Sequence, residues 1–174
     1  MARDDVQATS WYRKAAEQGY ADAQSALAYR TMQGLGVTKD VGKAIFWYDK
    51  AVAQNFPEAQ YDLGYLYRHG TEVPQDNAKA VAWFRKSAAQ NDASALADLG
   101  IMYATGDGLP HRVVPAYAFL KRSMTTEYTT PENAQPALKN LVKTMTDEQK
   151  IAGDKLLEQM QADGVLVALD KYQS

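Results

Sequence analysis

The chain of 174 residues contains no cysteine and only two histidines. The absence of cysteine excludes disulfides, zinc–thiolate sites and cysteine nucleophiles. His69 and His111 are far apart in the sequence and belong to no H-E-x-x-H pattern, which makes them weak candidates for metal ligands. Both are expected to be solvated turn residues, and no metal site is predicted.

An excess of charge and a long apolar run are also missing. The 19 basic and 21 acidic residues leave a net charge of −2, and nucleic-acid binding is disfavoured because it requires clustered Lys and Arg. No apolar run approaches the roughly 20 residues of a membrane span, so membrane insertion is not expected. The first residues, MARDDV, are charged where a signal peptide would be apolar. The chain is therefore expected to be cytoplasmic or a piece of a longer protein.

Motifs that would carry catalysis are not found. No serine begins an S-x-x-K motif, and G-x-S-x-G does not occur. The pairs Gly34/Gly36 and Gly106/Gly108 resemble fragments of phosphate-binding loops, but they recur at one position of a repeat and are interpreted as turns. No catalytic residue and no cofactor site is predicted, and the chain is not expected to be an enzyme.

A motif that recurs every thirty-six residues dominates the sequence and contains all three tryptophans. In each copy, small residues stand three positions before and four positions after the Trp, or the Phe that takes its place in the last copy, and an aromatic residue or leucine follows directly. This i, i+3, i+4, i+7 spacing is typical of one face of an α-helix, and the Trp/Tyr pairs are expected to lie in the core rather than to bind carbohydrate. The copies are Ala8-Trp11-Tyr12-Ala15, Ala44-Trp47-Tyr48-Ala51, Ala80-Trp83-Phe84-Ser87 and Ala116-Phe119-Leu120-Ser123.

Residues that start and stop helices recur with the same period. An Asp four residues before the small residue is the predicted N-cap. A Gly or Asn, which tolerates left-handed backbone, is predicted to end each helix. These residues are Asp4, Asp40 and Asp76 at the starts and Gly19, Asn55 and Asn91 at the ends.

A second helical stripe follows in each copy, as in Ala59, Leu63, Leu66 and Tyr67. A glycine is predicted to end this helix, and a small residue inside it indicates close packing, since mid-helix glycine costs about 1 kcal/mol. Two helices in each unit, stacked on the neighbouring units, predict an α-solenoid. The stop residues are Gly34, Gly70 and Gly106, and the internal small residues are Ala28, Gly64 and Gly100.

The segment YDLGYLYRHGTEVPQDNAKAVAWFRKSAAQN, residues 61–91, resembles the Sel1-like repeat (SLR) family, whose units are similar to tetratricopeptide repeats. The resemblance implies an all-α, right-handed α-α superhelix. Residues 1–174 are expected to form a single α-solenoid domain. Its predicted parts are a partial repeat with the first full helix pair at 4–40, full repeats at 41–76 and 77–112, and a divergent C-terminal capping repeat at 113–174.

The two ends of the repeat array differ from its middle. In the capping segment, Thr130 is the predicted N-cap and Pro131 the first residue of a helix, and Thr146 with Gln149 is a predicted capping box. Residues 164–172 are expected to be either a short helix or a docking strand. At the other end, residues 4–18 match the Trp-containing helix, which is the second helix of a family unit, and the first helix of that unit is missing. This favours a fragment of a longer protein over a short chain that pairs with another copy.

A binding surface is predicted on the concave side, along the first helices of the units. Tyr61, Tyr65 and Arg68 lie opposite the buried stripe, and the equivalent positions are Ser25, Tyr29 and Met32 in one unit and Ala97, Ile101 and Ala104 in another. This row varies between units, and Tyr and Arg are enriched at protein interfaces. The predicted protein-binding residues are Tyr29, Tyr61, Asp62, Tyr65, Arg68, Asp98 and Ile101, with Phe46 and Trp11 as secondary contacts.

The favoured function is a non-catalytic protein-interaction scaffold or adaptor that binds another protein or peptide. The resemblance implies a bacterial adaptor that is envelope-associated or secreted. Two alternatives stay open. The first is an inhibitor or immunity-type protein that blocks one toxic enzyme, and the second is an element that self-assembles, as a homodimer, through the uncapped N-terminal helix.

Overall fold

A computed structural model describes residues 3–125 and 131–173. These residues form ten α-helices and contain no strand, which confirms the predicted all-α fold. The helices are α1 Arg3–Glu17, α2 Ala21–Gln33, α3 Val41–Ala53, α4 Pro57–His69, α5 Asn77–Ala88, α6 Ala93–Thr105, α7 Val113–Ser123, α8 Ala134–Val142, α9 Asp147–Asp163 and α10 Val165–Gln173.

The chain divides into two compact units, Met1–Leu63 and Gly64–Ser174. In the first unit, α2 packs against both α1 and α3. In the second unit, α6 packs against α5 and α7, while α7 also contacts α8 and α9, and α10 lies on α9. The single domain and its superhelical handedness stay predictions.

The periodic aspartates begin two of the helices as predicted. The Lys43 N–H donates to Asp40 Oδ1 at 2.9 Å, and the Lys79 N–H donates to Asp76 Oδ1 at the same distance. Asp4 is not an N-cap, because α1 already begins at Arg3 and places this residue in its first turn. The first turn of a helix favours a carboxylate through the helix dipole without needing a cap.

The cap at Asp76 predicts a loss of stability in acid that an asparagine cap would not show. The Lys79 N–H hydrogen bond to its carboxylate is the main reason that the pKa of Asp76 lies below the ordinary value of 3.8. A lowered pKa contributes stability above pH 3.8 that disappears as the pH falls through the lower, folded-state value. The stability advantage of the wild type over Asp76→Asn should therefore shrink between about pH 6 and pH 2 in urea unfolding. A difference that does not change with pH would contradict this role.

The helix ends also agree with the sequence. Asn55 and Asn91 have φ angles of 61° and 63°, and they are the only residues other than glycine with positive φ in the described part of the chain. Gly34 and Gly106 adopt left-handed backbone directly after α2 and α6. Because the chain reverses through this left-handed step, α2 and α6 can each pack against the helix that follows.

The internal glycines allow aromatic and aliphatic side chains to lie directly on a helix backbone. A Cβ atom at Gly64 would be 2.6 Å from the Phe84 ring, and one at Gly100 would be 2.8 Å from Leu120 Cγ. Phe84 and Leu120 occupy the same position of the repeat, and both are fully buried. The predicted close packing at the small residues is confirmed for these two helix pairs.

The Trp/Tyr pairs do not lie in the core as a set, which corrects the prediction. The second member is buried in α3 and α5, where Tyr48 and Phe84 are 4% and 0% exposed. Trp47 and Trp83 are only half-buried, and Trp11 is 63% exposed. The helical spacing indicates which side of the helix faces inward, but Trp stands at the edge of that side, where neighbouring helices cover it in part.

The described part of the C-terminal segment consists of helices joined by turns and short connections. The capping box of Thr146 and Gln149 is present at the start of α9, as predicted. Pro131 is not the first residue of a helix, because α8 begins three residues later at Ala134, after a turn. The predicted N-cap Thr130 lies outside the described residues. Residues 165–172 belong to α10, with Gly164 between α9 and α10, so the helix alternative is correct and the strand is not.

Candidate interaction surface

Two tyrosines and a histidine share one side of α4, at positions i, i+4 and i+8. Tyr65 is 48% exposed, and its ring centroid lies 4.1 Å from that of His69. Tyr61 is half-buried one turn earlier. These three residues are called the α4 face below. His69 was not predicted as part of this surface, although its spacing from Tyr65 would have placed it there.

Arg68 points to an internal partner rather than to solvent. Its guanidinium donates to Asp98 Oδ1 at 2.6 Å, and the two side chains are only 18% and 6% exposed. Asn133 Nδ2 lies 3.5 Å from the same carboxylate oxygen. Asp98 therefore joins α4 to α6 and holds Arg68 in place, and neither charge stands free on the surface.

Asp62 is held in a similar way by an inward neighbour. Tyr48 donates a hydrogen bond to Asp62, and burial together with this negative charge raises the pKa of Tyr48 well above its ordinary value. Tyr29 also interacts electrostatically with Tyr48 and is 51% exposed. The structure thus brings Tyr29, Tyr48 and Asp62 together, with Tyr29 as the exposed member.

The other positions of the predicted row differ in their exposure. Ser25 and Met32 are buried on α2, and Ala97 is buried on α6. Ile101 is half-buried. Equivalent positions of the repeat are therefore not equally exposed.

The two residues predicted as secondary contacts are both exposed. Phe46 is 52% exposed, meets Trp47 edge-on with ring centroids 5.3 Å apart, and lies under the Lys50 ammonium. Trp11 lies under the Lys14 ammonium, 4.7 Å from the ring centroid. These stacked cations cover part of each ring and leave an amphipathic surface of the kind found at protein contacts.

Groups that could hold a metal ion or anchor the chain in a bilayer are not seen in the described ranges. Within residues 3–125 and 131–173, no three His, Asp or Glu side chains cluster as metal ligands would. In the same ranges, none of the helices is both long and apolar enough to cross a membrane. His69 and His111 are exposed.

Comparison with known proteins identifies similar solved structures. One is a protective antigen of uropathogenic Escherichia coli strains that displays an SLR fold, with 31% identity, a TM-score of 0.81 and coverage of 99% of this chain and 36% of that one. Another is a Sel1 repeat protein from Oxalobacter formigenes, with 41% identity, a TM-score of 0.66 and coverage of 79% and 39%. This chain therefore spans little more than a third of either structure. No curated protein matches it.

A family model described as Sel1 repeat matches residues 1–20, 21–56, 57–92 and 93–120. Its full units pair α2 with α3 and α4 with α5, whereas the predicted boundaries 41–76 and 77–112 pair α3 with α4 and α5 with α6. Sel1 repeats generally mediate contacts between proteins, and the fold is typically non-catalytic. The recurring helix pair, the close contacts at its glycines and the residues matched by the family model all agree. The chain therefore belongs to the Sel1 repeat family.

Proposed function

We propose that this chain is a non-catalytic scaffold or adaptor that binds a partner protein or peptide through the α4 face. The observation that carries the proposal is the exposed Tyr65 ring, which lies against the tilted His69 ring beside the half-buried Tyr61. Tyrosine supplies a large contact area and a polar tip at a small entropic cost, which is why it is enriched where proteins bind.

The surroundings of the α4 face support binding by a preorganised surface. Arg68 is fixed by Asp98 at 2.6 Å, and Asp62 accepts a hydrogen bond from Tyr48. Since the helix is anchored by these contacts, the tyrosines lose little further freedom when a partner arrives. The partner should therefore contact aromatic rings and helix backbone edges, and it should depend little on Arg68 or Asp98 directly.

A comparison of two matched baits tests this proposal. The double variant Tyr61→Ala/Tyr65→Ala should lose a bacterial protein that the wild-type chain retains in a pull-down, with the affinity reduced by about tenfold or more. The control is Tyr20→Ala, which removes another tyrosine that is 59% exposed but lies at the start of α2. Circular dichroism must show that both variants are folded.

The pull-down also has an outcome that contradicts the proposal. If the double variant and the Tyr20→Ala control retain the same protein equally well, binding does not use the α4 face. The inhibitor hypothesis predicts one partner bound with nanomolar affinity, and the affinity measured in the same experiment separates it from an adaptor.

A further inference from the structure

Two open cavities of the second unit share one tyrosine, Tyr172 of α10, which is 40% exposed. The larger cavity, of about 490 Å³, lies at the start of α7 and is lined by His111 and Arg112. The smaller cavity, of about 380 Å³, lies between α9 and α10 and is lined by Lys155 and Lys171. The two cavities together are called the Tyr172 groove below.

The charged side chains that line the Tyr172 groove are all basic, and of the described residues no Asp or Glu lines either cavity. Lys171 is paired with Asp163 at 2.9 Å. His111, Arg112 and Lys155 are exposed, and none of them has an ion-pair partner within residues 3–125 and 131–173. The groove therefore carries positive charge that the described chain leaves unbalanced, although the net charge of the whole chain is −2.

The carboxylates of α9 and α10 do not neutralise Arg112 or Lys155. Glu148 and Glu158 are exposed on α9 but line neither cavity. Each aspartate of the two helices is paired with another basic residue. These pairs are Asp147–Lys150 at 2.9 Å, Asp154–Lys121 at 2.7 Å, Asp163–Lys171 at 2.9 Å and Asp170–Arg85 at 3.2 Å.

The groove also has apolar walls. Val114 and Pro115 line the larger cavity and are buried, and Leu156, which is 1% exposed, lines the smaller one. Ile151 lies one turn before Lys155 on α9 and is 70% exposed. Basic side chains beside apolar walls suit a ligand that carries carboxylates next to apolar groups. A nucleic-acid strand would be bound mainly through its phosphates and would need more cations than these.

We propose that the Tyr172 groove binds an acidic peptide segment of a partner protein, with apolar or aromatic residues between its carboxylates. Arg112 and Lys155 pair with the carboxylates, while the apolar residues pack against the Tyr172 ring and the apolar walls. The groove is formed by α7, α9 and α10, so this inference concerns a surface separate from the α4 face and does not depend on the proposed adaptor function.

The test measures the binding of a designed acidic peptide to the full chain. The probe is the peptide EELEEFEELEE, labelled with an uncharged dye. Fluorescence anisotropy at about 50 mM salt should show saturable binding below about 1 mM. Two matched probes separate the charge from the apolar residues, since one has every Glu replaced by Gln and the other has Leu and Phe replaced by Ser. Both should bind at least about tenfold more weakly.

Matched variants of the chain locate the site. Arg112→Glu/Lys155→Glu should weaken binding by about tenfold or more, because the carboxylates of the probe then meet like charges. The control Arg13→Glu/Lys139→Glu changes the same two residue types at exposed positions on α1 and α8, and should leave binding within about threefold of the wild type. Tyr172→Ala should also weaken binding, by about fivefold or more. Circular dichroism must show all variants to be folded.

Four outcomes would overturn the proposal. The first is the absence of saturable binding by the acidic probe. The second is equal weakening by the groove variant and its control, which would mean that net charge alone decides binding. The third is equal binding by the Ser-containing probe, which would mean that the apolar walls are not used. The fourth is tighter binding by a single-stranded oligonucleotide of the same length that the groove variant abolishes, which would assign the groove to nucleic acid.

Discussion

Replacing Arg68 with alanine is expected to lower the free energy of unfolding by about 3–5 kcal/mol. The variant leaves the carboxylate of Asp98 without the guanidinium that it contacts at 2.6 Å, in a position where the Asp98 side chain is only 6% exposed. A buried charge without its partner is far more costly than the pair was favourable. Urea unfolding followed by circular dichroism measures the loss.

A second ion pair provides the control for this result. Arg85 pairs with Asp170 at 3.2 Å, but the Asp170 side chain is 66% exposed, so Arg85→Ala should cost less than about 1 kcal/mol. The double variant Arg68→Met/Asp98→Leu should recover much of the stability that Arg68→Ala loses, because no charge is left buried. If Arg68→Ala and Arg85→Ala lowered the free energy of unfolding equally, the contact between Arg68 and Asp98 would contribute little to stability.

The buried pair also changes how binding experiments must be designed. Arg68 was predicted from its spacing to contact a partner protein, but any loss of binding by Arg68→Ala would be confused with loss of the fold. Tyr61 and Tyr65 can be truncated without leaving a buried charge. The proposed binding test therefore relies on the tyrosines alone.

Replacing Phe84 with alanine is expected to be about as damaging, at about 3–5 kcal/mol. The ring is fully buried and lies directly on the backbone at Gly64, which has no side chain to move into the space. The cavity would therefore persist, and a persistent cavity adds its own cost to the lost burial of the ring. The urea midpoint of Phe84→Ala against wild type gives this value.

Tyr12→Ala is the matched control, since Tyr12 and Phe84 occupy the same repeat position. Tyr12 is 41% exposed, and its truncation should change stability by about 0.5 kcal/mol or little more. A similar loss of stability in both variants would mean that the position in the repeat determines how much the side chain stabilises the fold. The expected difference would show that contact with the neighbouring helix determines it.

Much of the local structure could be predicted because it depends on short stretches of chain. The caps at Asp40 and Asp76, the left-handed Asn55 and Asn91 and the capping box at Thr146 each depend on contacts within a few residues. Such contacts form wherever the residue types and spacing are right. Asp4 was the exception, because helix α1 begins one residue before it.

The candidate site could be predicted only in part, because exposure depends on contacts that are distant in the sequence. Helical spacing placed Tyr61, Tyr65 and Arg68 on one side of α4, but it could not show that Asp98, thirty residues away, would bind Arg68 internally. The same spacing predicted that Trp11 lies in the core. In the described chain Trp11 is 63% exposed, whereas Phe119 at the equivalent position is fully buried.

The thirty-six-residue period was enough to predict the helices, their order and the repeat family, because backbone hydrogen bonds and a regular apolar stripe are local properties that each copy repeats. Tertiary contacts decided which members of that stripe are buried, which charges are paired and which aromatic rings stay exposed. Burial and pairing require two elements to meet, so residues at the same repeat position can differ: Phe84 is buried because it lies on Gly64 of α4, whereas Tyr12 is 41% exposed.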